Sequence, residues 1–376
     1  MRVLHVMRGS EEIYGAERVV LAELATLRAA GVDAKLLLLH ELRHGAAADT
    51  LAVAAEQRGI PVIRVPARSQ FSAQMVQTVR RAFASESPAL LHCHGYKGDF
   101  IGLAAGRLAR LPLVGEISGW LFPTSNARIR LYEWIDAQAL KRMERAVVLS
   151  DYYRRMCLRM GFDAARLRLI PSGLDLPRLR AAAGKVDIRA RLGLEPGTPT
   201  VGMLTRLSRE KGVDLFLQAM AFVVRRIPRA KGIIFGTGPE LARLQELAAG
   251  LGVTNSVIWA GYCSEAMDAL RALDVLAMTS RIEALPQTLM EAMVMARPAV
   301  VTPVGGCPEL VADGETGFVA PSLDPEVIAS RVCHLLERPE LARAMGERGA
   351  ARIEAGYTMD HWAERTIELY EEVARG

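Results

Sequence analysis

Cysteine is scarce in this chain of 376 residues: there are five, at positions 93, 157, 263, 307 and 333, and no Cys-x-x-Cys among them. Neither a disulfide framework nor a zinc cluster is expected, and reduced thiols in a cytoplasmic protein fit that spacing. Aromatic residues make up 6% of the chain and no basic run is interleaved with them, so nucleic acid is not an expected partner. No apolar run approaches the roughly 18–20 residues that a membrane span needs. The opening Met1-Arg2-Val3-Leu4-His5-Val6-Met7 is too short for the core of a signal peptide and reads as a strand. No Asp-x-Asp occurs either. Nor does Gly-x-Gly-x-x-Gly follow the first strand, which makes a nicotinamide-dependent dehydrogenase a poor fit. Internal repeats and low-complexity tracts are also missing.

What is present is an alternation. Hydrophobic residues are 51% and charged residues 24% of the chain, enough for two domains that each bury a core. The patterning predicts strands at 2–7, 33–40, 61–65, 89–94, 112–118, 145–149 and 166–170, with helices at 17–30, 49–58, 72–85, 98–110, 128–145 and 150–160 between them. The run 176–198, with Pro177, Gly184, Pro196 and Gly197, reads as a boundary, and strands and helices alternate again from 199. Such alternation predicts parallel, doubly wound sheets that bind ligands beyond the carboxyl ends of their strands. Charge is unevenly shared: residues 1–172 carry 24 Lys+Arg against 16 Asp+Glu, and the remainder 23 against 26. A basic first half suits an acidic substrate or an anionic membrane. In helix 128–145 the apolar side is read as Ile129, Tyr132, Ile135, Ala139 and Met143, with Arg128, Arg130, Lys141, Arg142 and Arg145 elsewhere.

The chemistry concentrates in residues 279–318. Val275–Met278 reads as a buried strand, the chain turns through Ser280 to Leu285, and Pro286 is expected at the first position of a helix running to 296. That order puts Glu283 just outside a helix N-terminus and Glu291 about one and a half turns inside it. The amides near Ala284, Leu285, Gln287 and Thr288, with the positive end of the helix dipole, suit a phosphate or the hydroxyl-rich end of a sugar. An isolated pair of glutamates eight apart would be ordinary dipole compensation. Here it is followed by Pro298-Ala299-Val300-Val301-Thr302, by Gly305-Gly306-Cys307-Pro308-Glu309 and by Asp313-Gly314-Glu315-Thr316-Gly317.

That whole string resembles the signature of the group 1 (family 4) retaining glycosyltransferases. The resemblance implies the GT-B architecture: an α/β chain of two Rossmann-like, doubly wound domains with a cleft between them, here at 1–172 with 357–376 packing back, and 173–356. It implies a donor sugar contact for Glu283 and a ribose contact for Glu291. Arg206-Leu207-Ser208-Arg209-Glu210-Lys211-Gly212 is similar to the family's Gly-Arg-Leu-x-x-x-Lys-Gly and carries Arg206 and Lys211 over as the pair that holds the diphosphate. Gly236-Thr237-Gly238-Pro239 and Tyr262 correspond to turns around the nucleobase.

In the first half, Tyr14-Gly15-Ala16-Glu17-Arg18 is similar to the family's Gly-Gly-Ala-Glu-Arg, with Gly15 left to approach the diphosphate or the acceptor. His92-Cys93-His94-Gly95 matches a similar His-x-His-Gly near the acceptor, which makes His94, Tyr96 and Lys97 acceptor-side candidates. As a metal pair, His92 and His94 lack a third ligand at any fitting spacing. Ser118 stands where many members carry a histidine against the donor sugar. Either its hydroxyl, Glu116 or His94 then does that work.

The implied activity is transfer of a sugar from a nucleoside-diphosphate sugar to a glycan, lipid-linked or small-molecule acceptor, with retention and with neither metal nor cofactor. The basic first domain adds peripheral contact with an anionic membrane, at its inner face, as an expectation. Other readings are a sugar-nucleotide epimerase or phosphorylase of the same architecture, and a nucleotide-sugar-binding protein without turnover.

Overall fold

A computed structural model describes residues 1–9, 13, 15–41, 50–67, 73–117, 119–120 and 127–375. The chain divides into two compact units, Met1–Gly173 with Met359–Gly376, and Leu174–Thr358. The first contains β1 (Arg2–Arg8), α1 (Gly15–Ala29), β2 (Asp33–Glu41), α2 (Thr50–Glu56), β3 (Val62–Ala67), α3 (Ala73–Glu86) and β4 (Leu90–His94). It continues with α4 (Gly95–Ala109), β5 (Leu113–Ile117), α5 (Ala127–Leu140), β6 (Arg145–Val148), α6 (Asp151–Arg159) and β7 (Leu167–Leu169). These strands form one parallel sheet in the order β3-β2-β1-β4-β5-β6-β7. Its central strands are buried along their whole length, as expected of a parallel sheet covered on both faces.

The second unit opens with α7 (Leu176–Ala182) and α8 (Ile188–Arg191), then β8 (Thr200–Leu204), α9 (Val213–Arg226), β9 (Lys231–Phe235), α10 (Leu241–Gly250), β10 (Val257–Gly261) and α11 (Ala266–Arg271). There follow β11 (Val275–Met278), α12 (Gln287–Val294), β12 (Ala299–Val301), α13 (Cys307–Leu310), β13 (Gly317–Val319), α14 (Pro325–Leu336) and α15 (Pro339–Gly356). Its sheet is parallel too, in the order β10-β9-β8-β11-β12-β13. The last helix, α16 (Met359–Arg375), packs on α1 and β4 in the first unit, where Trp362, Leu369, Tyr370 and Val373 join the core. Among the described residues no helix is long and apolar enough to cross a membrane. All five cysteines are free and buried.

Three expectations are corrected. The run read as a plain boundary holds two short helices, because Asp175 and Asp187 accept from the amides of Arg178 and Ala190 and so cap α7 and α8. Pro286 is the residue before α12 rather than its first: its ψ of 114° is extended, and the helix runs only from Gln287 to Val294. In α5 the inward face is only partly the one expected: Ala139 is buried, as is Met143 just beyond the helix, but Tyr132 and Ile135 are half-buried and Ile129 is exposed. Glu133, Asp136, Ala137, Ala139 and Leu140 face inward, while Ile129, Leu131 (55% exposed) and Trp134 (56%) face solvent. Asp136 is drawn inward by the Trp120 indole, which donates to it at 2.9 Å, and by Asp99 of α4. Burial and the facing Asp136 carboxylate raise Asp99 well above the usual range.

Asp268 of α11 fastens the segment between α7 and α8. Its carboxylate accepts from the amides of Gly184 (2.5 Å), Lys185 (3.1 Å) and Val186 (2.9 Å). Burial alone would raise its pKa, but the three amide donors outweigh burial and the net shift is downward. A depressed pKa stabilises the fold above the unfolded value and loses that contribution as pH falls through the folded one. Asp268→Asn is therefore expected to lower the Tm near pH 7, and its deficit against the wild type should shrink below about pH 4. Melting curves across that range check this; a deficit independent of pH would contradict it.

Candidate functional site

In each unit the strand order reverses at one point, the place where doubly wound sheets bind ligands beyond the carboxyl ends of their strands. In the second unit the reversal lies between β8 and β11. The loop after β8 carries Arg206 and Lys211, and the loop after β11 carries Glu283. Lys211 Nζ donates to Glu283 Oε1 at 2.8 Å, joining residues 72 positions apart. Ser280, which the sequence reading did not single out, donates its Oγ to the same Oε1 at 2.7 Å. Glu283 Oε2 is not part of either bond.

Two glycines make this meeting sterically possible. Gly212 (φ +63°) lies against the carbonyl oxygen of Thr279, and Gly305 (φ +55°) against that of Glu283; a Cβ at either would overlap that oxygen. The loops are then tied. Thr279 Oγ1 donates to Gly212 O at 2.7 Å, Thr302 Oγ1 to Ser280 O at 2.6 Å, and Gly306 N to Ala284 O at 2.8 Å. Arg281 grips Asp214 of α9 through two hydrogen bonds of 2.8 and 2.7 Å, which ties the loop after β11 to α9. Neither Arg281 nor Asp214 was singled out from sequence, because the pairing is tertiary.

The remaining donor-side candidates line the ends of neighbouring strands. Arg206 is exposed, and the backbone on either side of it is held by the next loop: Leu207 N donates to Thr237 O at 2.9 Å, while Gly236 and Gly238 lie against the carbonyls of Thr205 and Leu207. Gly236 N donates to Gly261 O at 2.7 Å, and Tyr262 beyond it is 72% exposed. Ala284 and Leu285 lead into α12. The first-turn amides of Gln287 and Thr288 have no intrahelical acceptor by position, and Glu291 follows one turn on.

In the first unit the reversal lies between β1 and β4. Gly15 opens α1, and none of the described residues comes within 4 Å of the position a Cβ there would take, whereas Ser118 and Tyr14 lie outside the described residues, as does the side chain of Arg128. Tyr96 is exposed and stacked on Tyr132 with ring centroids 5.5 Å apart. His94, Lys97 and Glu116 are buried rather than displayed. His94 Nε2 and His5 Nδ1 are 2.9 Å apart, His5 Nε2 is 3.2 Å from Tyr370 Oη, and that hydroxyl is 2.6 Å from His92 Nδ1. Burial lowers His94 to about 4 and Lys97 to about 8, the latter with help from Arg8, and raises Glu116 to about 7. His5, Glu23 and Tyr370 belong to this cluster and were not read from sequence; each comes from a different element, and only the fold assembles them.

Two doubly wound parallel sheets of this kind, each with polar residues gathered where its strand order reverses, define the GT-B class of α/β proteins. Residues 185–352 match the family described as glycosyl transferases group 1, and residues 14–173 match the glycosyl transferase 4-like domain. The chain belongs to the group 1 glycosyltransferases. It is 35% identical over 230 residues to a GDP-mannose-dependent α-(1-6)-phosphatidylinositol monomannoside mannosyltransferase of Mycolicibacterium smegmatis, a match spanning 58% of each chain. It is 28% identical to the α-D-kanosaminyltransferase of Streptomyces kanamyceticus, over 75% of this chain and 76% of that one. Among solved structures, HepE of Anabaena in complex with UDP superposes with a TM-score of 0.85 at 22% identity, covering 99% of this chain and all of that one.

Proposed function

We propose that this protein transfers a sugar from a nucleoside-diphosphate sugar to a hydroxyl of a glycan, lipid-linked or small-molecule acceptor, with retention of anomeric configuration and without a metal at the diphosphate. The observation that supports this reading most is the Lys211–Glu283 pair at the reversal point of the second sheet. Arg206, Lys211 and the amides of Ala284, Leu285, Gln287 and Thr288 face the charge that develops on the departing diphosphate. Glu283 accepts from a sugar hydroxyl, Glu291 from the ribose, and Gly236, Gly238 and Tyr262 border the base. Gly15 and Tyr96 serve the acceptor side, with His94, Lys97 and Glu116 supporting it from beneath. In the step itself the bond from the anomeric carbon to the diphosphate breaks as the acceptor oxygen bonds on the same face. The acceptor proton passes to the leaving phosphate oxygen.

A thermal-shift panel of nucleoside diphosphates and their sugars tests donor binding, because a ligand specific to the folded form raises the Tm. The relatives differ in base, GDP-mannose in one name and UDP in another structure, so the panel carries both. Turnover with the preferred donor should give the donor's own anomer. An inverted product would refute retention, and binding without transfer to any acceptor would favour a non-catalytic binding protein. Release of nucleoside diphosphate without acceptor would favour an epimerase. Glu291→Ala is expected to weaken the preferred donor about tenfold, the loss of one charge-assisted hydrogen bond; an unchanged titration would remove Glu291 from the ribose.

The reading includes peripheral contact with an anionic membrane. Its support is the outward face of α5, where Leu131 and Trp134 stand beside exposed Arg130. Sedimentation with phosphatidylglycerol vesicles but not with phosphatidylcholine vesicles is the expected result, and Trp134→Glu should reduce it several-fold. Equal behaviour of the two proteins would assign that face another role.

A further inference from the structure

Beneath the acceptor side, the histidine cluster meets two buried acids whose oxygens the proposed transfer does not account for. Glu23 of α1 is 0% exposed, and neither of its carboxylate oxygens has a hydrogen-bond partner; Glu116 Oε2, on β5, is buried in the same condition. One ligand atom each from Glu23, His94 and Glu116 lie within 4.8 Å of one another, yet no hydrogen bond joins the three. Ionised carboxylates are acceptors only, so the two acids cannot satisfy each other. Atoms arranged around one ion at about 2.0–2.2 Å stand roughly 3–4.4 Å apart, a spacing this trio can take.

The neighbours of His94 prepare it for such a role. Its Nε2 is engaged with His5 Nδ1 at 2.9 Å, which leaves Nδ1 as its remaining ring nitrogen. The chain closes in either direction; in the one with the proton on His94 Nε2, His94 donates to His5, His5 Nε2 donates to Tyr370 Oη, and Tyr370 donates to His92 Nδ1, which leaves His92 Nε2–H without an acceptor among the described residues. That tautomer leaves a bare lone pair on His94 Nδ1, the form in which imidazole binds metal. The register places His94 directly beside Glu116 on adjacent strands, so both side chains leave the sheet on one face, the face α1 covers with Glu23.

We propose that Glu23, His94 and Glu116 hold a divalent transition-metal ion inside the first unit, pinning α1 to β4 and β5. One nitrogen and two carboxylates suit zinc or manganese, and the two negative charges match a dication. The site is sealed from solvent, so its role is structural and separate from the diphosphate chemistry of the second unit. It also supplies what the spacing of His92 and His94 could not show: the further ligands come from α1 and β5.

The test uses the full chain, purified without a histidine tag or chelator. Elemental analysis is expected to find about one equivalent of zinc or manganese. Stripping it should lower the Tm by about 5–10 °C, and returning the metal should restore it. Glu23→Gln should purify without metal. A folded wild type that carries no metal, and whose Tm ignores both chelator and added zinc or manganese, would overturn the proposal. So would a Glu23→Gln protein at least as stable as the wild type, the result expected if a proton rather than a cation sits between the acids. Should Glu23→Gln not fold, cobalt-loaded wild type decides. Visible d–d bands without thiolate charge transfer support the site, and a spectrum identical to aqueous cobalt refutes it.

Discussion

Glu283→Gln is expected to slow transfer by about a hundred- to a thousandfold while the Tm moves by no more than a few degrees. The carboxylate does two things at once in the proposed reaction. Through Oε1 it receives Lys211 at 2.8 Å and Ser280 at 2.7 Å, which fixes the ammonium beside the diphosphate position. Through its other oxygen it offers an acceptor to a sugar hydroxyl. Glutamine preserves the volume of a nearly buried side chain and can still accept from Lys211, so packing is kept and only the charge is lost. Lys211→Met should cost comparable activity for the complementary reason: it removes the cation and leaves a buried carboxylate with Ser280 alone. Because the two side chains touch, the double variant should be less impaired than the product of the single effects, with an interaction of about 1–3 kcal/mol. Steady-state kinetics on the four proteins check this. Activity within threefold of wild type for Glu283→Gln would remove the pair from the reaction.

The pair was legible in the sequence because each half sits in a dense local string, Arg206 to Gly212 and Thr279 to Gly317, and because strand, loop and helix follow from apolar runs punctuated by glycine and proline. The parallel architecture was legible for the same reason: period-2 and continuous apolar stretches alternate with helical periodicity throughout. What was hidden depends on which residues meet across elements. Glu23 reads in sequence as an ordinary polar residue between Ala22 and Leu24, yet it is fully buried. The inward face of α5 was half legible: Ala139 and Met143 are buried as expected, but Glu133 and Asp136 are buried with them, the latter bonded to the Trp120 indole. The short edge strand β13 has no signal in the sequence, since three residues carry too little pattern to be told from a turn. His94, Lys97 and Glu116, read as acceptor-side residues, are buried, and α16 packs against the strand that ends in His94.

Gly305→Ala is expected to lower the Tm by about 6–12 °C and to carry most of the activity with it. Two penalties add. The first is conformational: at φ +55° alanine costs roughly 1 kcal/mol more than glycine. The second is contact, because the new methyl would overlap the carbonyl oxygen of Glu283, and the backbone there has little freedom to retreat. Gly306 N is bonded to Ala284 O, and Thr302 Oγ1 to Ser280 O, so the loop that must move is held on both sides of Glu283. Relief requires tilting the Glu283 peptide, which swings its carboxylate away from Lys211. Gly252→Ala separates the two penalties. Gly252 has φ +70° but nothing within 4 Å of the position its Cβ would take, so only the conformational cost applies and a loss of about 2–4 °C is expected. The difference between the two variants measures the close approach itself, and the Lys211–Glu283 pair should fail with the first and survive the second. If Gly305→Ala melts with Gly252→Ala and retains transfer, the loop after β12 does not hold Glu283 in place, and the alignment of the pair must come from the Gly212 side alone.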